Sequence, residues 1–159
     1  MKEKNILITG GNAGIGLATA IALAKKGANI YIVSRSKEKA EDALVQIKKE
    51  SKNESIHYFL ADLSSQKSIR KLAQQVNQKL TKLDVLINNA GGVFSEFQLS
   101  EDGIEMTIAT NHFSFFLLTN SPRHELPADS CSHISLYVAA EVRSDLRIRG
   151  FFPLTSSSV

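Results

Sequence analysis

Four short apolar runs divide the first two-thirds of the chain into a repeating pattern. Each run ends at small or polar residues, as is typical of a strand that is buried on both faces of a parallel sheet. The runs are NILITG (5–10), NIYIVS (29–34), IHYFLA (56–61) and DVLINNAG (84–91). Because helix-like segments separate them, the pattern predicts an α/β fold with a doubly wound parallel sheet, incomplete, of about four to five strands.

Three helices are predicted between these strands, each with apolar residues recurring at helical spacing. Ser36 is the expected N-cap of the second helix. The predicted apolar faces are Ile15, Ala18, Ala22 and Leu23 in the first helix, Ala40, Ala43, Leu44 and Ile47 in the second, and Ile69, Leu72, Ala73, Val76 and Leu80 in the third. In sheets of this kind ligands bind beyond the carboxyl ends of the strands, so the residues that follow each strand are the functional candidates.

Composition narrows the class of protein further. The 159 residues are 43% hydrophobic and 22% charged, which is typical of a soluble globular domain. A net charge of +3, with basic residues spread over several segments, gives no reason to expect a nucleic-acid partner. The lone Cys131 excludes an internal disulfide and fits a reducing compartment. No run resembles a signal peptide or a membrane span, so we expect a cytoplasmic protein.

No metal site is predicted. His124, Cys131 and His133 are the nearest candidates for ligands. Their irregular spacing matches no zinc motif.

The segment TGGNAGIG (9–16) joins the first strand to the first helix. Glycine there permits a tight turn, a close approach of the backbone to a ligand, and close packing of helix against strand. The following helix N-terminus offers N–H groups and partial positive charge to a pyrophosphate. The loop therefore predicts a Rossmann-type dinucleotide site, although a glycine-rich turn without a ligand is the alternative. The predicted binding residues of the loop are Thr9, Gly10, Asn12, Gly14, Ile15 and Gly16.

The residue after the second strand indicates which dinucleotide is bound. Arg35 stands there, and the first acid that follows is Glu38. A carboxylate at this place would favour the ribose 2′-hydroxyl of NAD, whereas a guanidinium pairs with the 2′-phosphate of NADP. We therefore expect NADP rather than NAD. The alternative is that Arg35 is a solvated loop charge.

With TGGNAGIG, ADLSS and INNAG in register, the chain resembles the short-chain dehydrogenase/reductase family, and within it the retinol dehydrogenase-like branch. The resemblance covers Lys4 to about Asn120. It implies an NAD(P)-dependent oxidoreductase that transfers hydride between a nicotinamide and an alcohol or carbonyl.

The resemblance also implies roles for residues after the third and fourth strands. Asp62 and Leu63 would line the adenine site, and Asn111 would be the catalytic asparagine. Asn88, Ala90 and Gly91 would belong to the motif that flanks the cofactor. Other interpretations stay open for two of these residues, since Asp62 could cap the third helix and Asn88 could be a satisfied buried amide. The family commonly has glycine where Ser114 stands.

The catalytic pair that the family implies is missing from the sequence. Its members use Tyr-x-x-x-Lys, in which the lysine lowers the pKa of the tyrosine one helical turn away. Tyr137 is the one tyrosine outside the predicted strands, and Glu141 stands where the lysine would be. A carboxylate there would raise the pKa of the tyrosine instead. Tyr137 is therefore a doubtful catalytic residue.

The composition changes abruptly after Asn120. We therefore divide the chain into an NAD(P)-binding segment, 1–120, and an atypical tail, 121–159. In one interpretation SHISLYV (132–138) is a degraded fifth strand. In the other, everything after Asn120 is out of frame, which the abruptness favours. We therefore expect residues 121–159 to be a truncated end that is either out of frame or partly disordered.

Three functional interpretations follow. The chain is an oxidoreductase with an unorthodox acid, a dinucleotide-binding relic without turnover, or a truncated product without a selected function. An unpaired apolar sheet edge and the helical face of Phe113, Phe116 and Leu117 would favour self-association.

Overall fold

A computed structural model describes residues 1–121 and 132–134. Five parallel strands form one sheet in the order β3-β2-β1-β4-β5. The strands are β1 (Asn5–Thr9), β2 (Asn29–Ser34), β3 (Ile56–Leu60), β4 (Val85–Ile87) and β5 (Ser132–Ile134). The predicted α/β class with a Rossmann-type parallel sheet is confirmed.

Helices connect the strands and cover both faces of the sheet. The helices are α1 (Gly14–Lys25), α2 (Lys37–Ser51), α3 (Gln66–Lys79), α4 (Met106–Ile108) and α5 (Ser114–Asn120), with a π-helical segment (Ala109–Phe113) between α4 and α5. Within the described ranges, no helix combines the length and the hydropathy that a membrane crossing requires.

The strands have continuous apolar runs because alternate side chains enter two separate cores. On one side Ile6, Ile8 and Ile30 pack under α1 and α2. On the other side Leu7 and Tyr31 pack with residues of α3 and α5. Because both faces of the sheet are buried, the candidate functional residues lie beyond the carboxyl ends of the strands.

The predicted helical faces agree with the structure in two helices and fail in one. The predicted residues of α3 are buried, as are Ala40, Ala43 and Ile47 in α2. In α1 the buried residues are instead Gly16, Ala20, Ile21 and Ala24, and Ile15 is exposed. The cause is that α1 is apolar nearly all round, so its sequence carries little information about which side faces the core.

The predicted N-cap of α2 is present. The Ser36 hydroxyl accepts a hydrogen bond from the Lys39 N–H at 3.3 Å. This bond satisfies one of the free N–H groups at the helix start.

Strand β5 is the part of the predicted tail that the structure describes. It pairs in parallel with β4, with Ser132 opposite Val85 and Ile134 opposite Ile87. This pairing favours the degraded-strand interpretation for these three residues. Among the residues singled out beyond Ser121, His133 lies in β5. The others, such as Cys131 and Tyr137, lie outside the described residues. The division at residue 120 stays a prediction.

Asp84, at the start of β4, ties together two chain segments at the opposite end of the sheet from the glycine loop. Its carboxylate accepts hydrogen bonds from Lys4 Nζ at 2.8 Å and from the Asn5 N–H at 3.0 Å, and Lys82 Nζ lies at 3.2 Å. Burial alone would raise the pKa of Asp84, but these donors together lower it below its ordinary value.

We expect Asp84→Asn to lower the free energy of unfolding at neutral pH by about 2 kcal/mol, because charge-assisted hydrogen bonds are lost. Since the folded pKa of Asp84 is depressed, its contribution is complete above the unfolded pKa of about 3.9 and is lost as pH falls through the folded value. Urea titrations against pH should show the two proteins converging in acid. Glu54→Gln, which removes the exposed Lys48–Glu54 pair, is the control and should change stability little. A constant difference at every pH would contradict the assignment.

Candidate functional site

A cleft of about 900 Å³ lies at the carboxyl ends of β1, β2, β3 and β4. Ten of the twelve predicted cofactor residues line it, and Thr9 and Asn88 do not. The lining also contains residues that the sequence analysis missed. They are Ala13, Val33, Ser34, Ser36, Lys39, Ala61, Asn89, Gly92, Val93, Phe94 and Thr110.

The glycine loop has its shape because side chains would collide at two positions. A Cβ at Gly16 would overlap the carbonyl oxygen of Gly10 and lie 2.5 Å from Asn89 Nδ2. A Cβ at Gly11 would lie 2.5 Å from Cγ2 of Ile32. Gly10 adopts a φ of +65°, which glycine tolerates without strain. Gly11 belongs to the loop as a packing residue, a role that the spacing of the motif does not reveal.

The start of α1 faces open space. A Cβ at Gly14 would meet no atom within 4 Å, although this residue lines the cleft. The helix has no side-chain cap and no acid in its first turn, whereas Ser36 caps α2 and Ser65 caps α3. Uncapped N–H groups, a helix dipole and an open cradle are the features that a phosphate group requires. The residues present therefore fit a dinucleotide pyrophosphate.

Thr9 does not line the cleft but lies behind it and forms hydrogen bonds to residues that do. It is 1% exposed, and its hydroxyl oxygen accepts hydrogen bonds from the N–H groups of Asn89 at 2.9 Å and Ala90 at 3.0 Å. The Asn89 side chain in turn donates to the Thr9 carbonyl at 2.9 Å. Thr9 therefore joins β1 to the segment after β4, and Asn89 rather than Asn88 is the motif asparagine that reaches the cleft.

Asn88 is buried, with 1% of its surface exposed. Its Nδ2 donates to the Thr119 hydroxyl at 3.0 Å, which links β4 to α5. The buried-amide interpretation thus describes its surroundings. Its place directly after β4 explains this orientation, since successive side chains of an extended segment point to opposite sides.

Arg35 follows β2 at the rim of the cleft and is exposed. Lys39, one turn into α2, lines the same part of the cleft together with Ser34 and Ser36. Glu38 is not among the lining residues, and Asp62 is the one acid that the lining contains. The end of β2 therefore presents two cations and two hydroxyl-bearing residues to the space beyond it.

Asp62 and Leu63 follow β3 and line the cleft, as predicted for an adenine site. The Asp62 carboxylate accepts hydrogen bonds from Ser64, from its N–H at 2.9 Å and its hydroxyl at 2.7 Å. The hydroxyl of Ser65, not Asp62, accepts from the Ser68 N–H and caps α3. The helix-cap interpretation of Asp62 is therefore wrong. Its side chain forms a local turn that leaves it exposed at the cleft.

Asn111 lies in the π-helical segment and is engaged with the loop after β4. Its Oδ1 accepts from the Gly92 N–H at 2.9 Å, and its Nδ2 donates to the Gly92 carbonyl at 2.9 Å. Thr110 lines the cleft and Asn111 does not. The amide therefore fixes the loop beside the cleft, and the predicted catalytic role of Asn111 stays a prediction.

Two further features of this helix were singled out from the sequence. Ser114 is buried, and its hydroxyl donates to the Thr110 carbonyl at 2.5 Å. Phe113 and Phe116 are exposed, whereas Leu117 packs partly against the core. Self-association through this face stays a prediction.

Across the described ranges, no three His, Cys, Asp or Glu side chains converge as a metal site.

The parallel sheet and the glycine loop define a Rossmann-type α/β protein. A model of the short chain dehydrogenase family matches residues 4–133. The chain belongs to this family, which confirms the resemblance. The match also extends past Asn120, where the resemblance was expected to stop.

Two curated relatives and two solved structures illustrate the similarity. Human retinol dehydrogenase 13 is 40% identical over 131 residues, which are 82% of this chain and 40% of that protein. Chloroplastic short-chain dehydrogenase TIC 32 A of Brassica napus is 46% identical over 119 residues, 75% of this chain and 37% of that protein. The chain thus spans about two-fifths of the length of these relatives.

The solved structures agree with the fold. One is the Pseudomonas aeruginosa RhlG/NADP active-site complex, with a TM-score of 0.68 and 28% identity, covering 85% of this chain and 54% of that one. The other is the citronellol catabolism dehydrogenase AtuB of Pseudomonas aeruginosa PAO1, with a TM-score of 0.71 and 26% identity over 85% and 56% of the two chains.

Proposed function

We propose that this chain binds NADPH in preference to NADH and that, with these 159 residues alone, it turns over an alcohol or carbonyl substrate only at a strongly reduced rate. Family membership supports a nicotinamide dinucleotide as the ligand. A reducing, cytoplasmic location is part of the proposal and rests on the single cysteine.

The observation that carries the cofactor proposal is the pair of cations at the end of β2. Arg35 and Lys39 line the cleft where the ribose of a bound dinucleotide would lie, and the one acid of the lining, Asp62, follows β3 and not β2. A planar guanidinium pairs with two phosphate oxygens at once, and an ammonium adds a point charge. A 2′-phosphate would therefore be attracted here. The similar fold of the RhlG/NADP complex lends support to the same cofactor.

Bound in the cleft, the dinucleotide would supply the hydride. The chain's residues would position it. The N–H groups at the start of α1 would hold the pyrophosphate, Asp62 would accept from the adenine amino group, and Leu63 would provide an apolar wall. Asn89 and Thr9 would keep the floor of the cleft in place through the hydrogen bonds described above.

Reduced turnover is proposed because the sequence lacks a proton donor of the expected kind. No Tyr-x-x-x-Lys pair occurs among the 159 residues, and Glu141 follows Tyr137 at the lysine spacing. A dinucleotide-binding protein without efficient turnover is therefore the form of the function that these residues support best.

The role of Arg35 is tested by exchanging its charge. Arg35→Ala should weaken NADPH binding about tenfold and leave NADH binding unchanged, because only the extra phosphate loses a partner. Arg35→Glu should reverse the preference, since a carboxylate repels the phosphate and accepts from a free 2′-hydroxyl. Fluorescence titration of both reduced cofactors measures the two affinities.

The matched control is Lys37→Ala, which removes an exposed cation two residues away that does not line the cleft. It should leave the NADPH affinity within about twofold of the unmodified value. Parallel losses for NADPH and NADH in Arg35→Ala would show that the guanidinium does not read the phosphate.

A further inference from the structure

The edge of the sheet opposite the cleft gathers lysines from separate parts of the chain. Strands begin at this edge, and helices α1, α2 and α3 end there because they run back against parallel strands. We call this surface the amino-edge face. Its lysines are Lys2, Lys4, Lys25, Lys26, Lys48, Lys49, Lys52, Lys79 and Lys82.

Contacts between these segments show that they form one surface. Asn53 Nδ2 donates to the carbonyls of Ala24 and Ala28, which joins the end of α2 to the end of α1. Lys4 and Lys82 share the Asp84 carboxylate. The pKa of His57, at the start of β3, is lowered by burial first and then by the charges of Lys79 and Lys48. The lysines thus act on a common region.

The net charge is positive on the amino-edge face and negative over the rest of residues 1–121. The nine lysines of the amino-edge face are accompanied by four acids, Glu3, Glu50, Glu54 and Asp84, which leaves a net charge of +5. The rest of residues 1–121 has six basic and eight acidic residues, a net charge of −2. Of the nine lysines, only Lys4, Lys48 and Lys82 form salt bridges with residues that the structure describes.

We propose that the amino-edge face docks on an anionic lipid surface, with the cofactor cleft turned toward water. Clustered lysines at a protein surface are attracted to acidic headgroups, and the attraction grows with each added charge. The cleft lies at the other end of the strands, so docking leaves the dinucleotide free to enter and leave. This inference goes beyond the proposed function and does not depend on it.

A lipid surface fits these residues better than a nucleic acid does. The face contains lysine and no arginine, and arginine is the residue that recognises phosphodiesters through paired hydrogen bonds. It presents helix ends, not a helix side or ribbon that could enter a groove. The exposed phenylalanines of the described chain, Phe97, Phe113 and Phe116, follow β4 and lie outside the segments that form the amino-edge face. A base-stacking platform is therefore missing from the described part of this face.

Co-sedimentation with vesicles tests the proposal. The probes are vesicles of phosphatidylcholine with about one-third phosphatidylserine, and vesicles of phosphatidylcholine alone. We expect the 159-residue chain to bind the first and not the second at low salt, and to be released at about 0.5 M salt, where screening is nearly complete. Absence of binding to the anionic vesicles at low salt would overturn the proposal.

Charge-reversal variants distinguish binding through the amino-edge face from a general effect of the net charge. The triple variant Lys25→Glu, Lys26→Glu, Lys49→Glu should weaken vesicle binding at least about tenfold. The control triple Lys67→Glu, Arg70→Glu, Lys71→Glu makes the same charge change on exposed positions of α3 and should retain binding within about threefold. Equal losses in the two triples would contradict docking through the amino-edge face.

Two further measurements complete the test. Changing the same three amino-edge lysines to glutamine should give a smaller loss than glutamate, and all variants should keep the urea unfolding midpoint of the unmodified chain, which verifies that they fold. Tighter binding to a DNA duplex or to polyglutamate than to the anionic vesicles at equal salt would replace the lipid by another partner and overturn the proposal.

Discussion

Replacing Gly16 by alanine is expected to abolish NADPH binding and to lower the free energy of unfolding by about 3 kcal/mol. The new Cβ would overlap the Gly10 carbonyl oxygen and press on Asn89 Nδ2 at 2.5 Å. Because Asn89 also donates to the Thr9 carbonyl, the loop and the floor of the cleft would both have to move. Urea unfolding and NADPH titration of the same sample measure the two losses.

Gly14→Ala is the matched variant. Its Cβ would meet no protein atom, so the fold should lose only about 1 kcal/mol from the strained φ of +51°. The methyl group would nevertheless occupy the space above the start of α1, and NADPH binding should fall at least about tenfold. If Gly14→Ala bound NADPH normally, the pyrophosphate would not lie at this helix start. Normal stability of Gly16→Ala would contradict the packing of the loop.

The second large effect concerns turnover. Carbonyl reduction by the 159-residue chain should be about 10²–10⁴-fold slower than that of a full-length family member assayed alongside it, which is the usual contribution of a general acid. The developing alkoxide needs a proton, and Glu141 stands at the spacing from Tyr137 where the family has its lysine. NADPH oxidation with a panel of aldehydes and ketones measures the rate.

Glu141→Lys is the sharpest variant for this question, because a single substitution creates the Tyr-x-x-x-Lys spacing. We expect no gain in turnover from it, because a tail that is out of frame after Asn120, as the sequence predicts, would not bring Tyr137 to the catalytic position of the family. Tyr137→Phe is the paired control and should also leave the rate unchanged. Robust NADPH oxidation that Tyr137→Phe abolishes would show that Tyr137 is the catalytic acid and would contradict the proposal of reduced turnover.

The fold was predictable where burial leaves a clear pattern in the sequence. The strands are recognisable because residues such as Ile6 and Leu7 are buried on opposite faces, so the whole run is apolar. The buried face of α3 was predictable because its exposed side is polar. In α1 the core side is set by small residues, Gly16, Ala20 and Ala24, which let the helix approach the sheet. Composition alone does not distinguish that side from the exposed Ile15.

The candidate site was predictable as a set of motifs but not as an orientation of side chains. Thr9 and Asn88 belong to the predicted motifs, yet the chain turns them away from the cleft and uses them to hold β4. Asn89 and Lys39 line the cleft without having been singled out. The signal for Lys39 is its place in the first turn of α2, which begins directly after Arg35 and the N-cap Ser36. Contacts such as Asn111 with Gly92 depend on tertiary structure.

The basic residues illustrate the same limit for charge. In the sequence they are dispersed, and a net charge of +3 suggests no partner. Parallel topology brings the ends of three helices and the starts of the strands to one edge, where the local charge is higher than that of the whole chain. The concentration of charge therefore comes from the fold.

The most direct test of the account is an equilibrium titration of the unmodified 159-residue chain with NADPH and with NADH under identical conditions. We predict saturable binding of both, with NADPH at least about tenfold tighter, because Arg35 and Lys39 line the cleft without an accompanying carboxylate at the end of β2. Equal affinities, or tighter binding of NADH, would contradict the assignment of these cations to the 2′-phosphate. If neither cofactor binds, the assignment of the cleft as a dinucleotide site is contradicted.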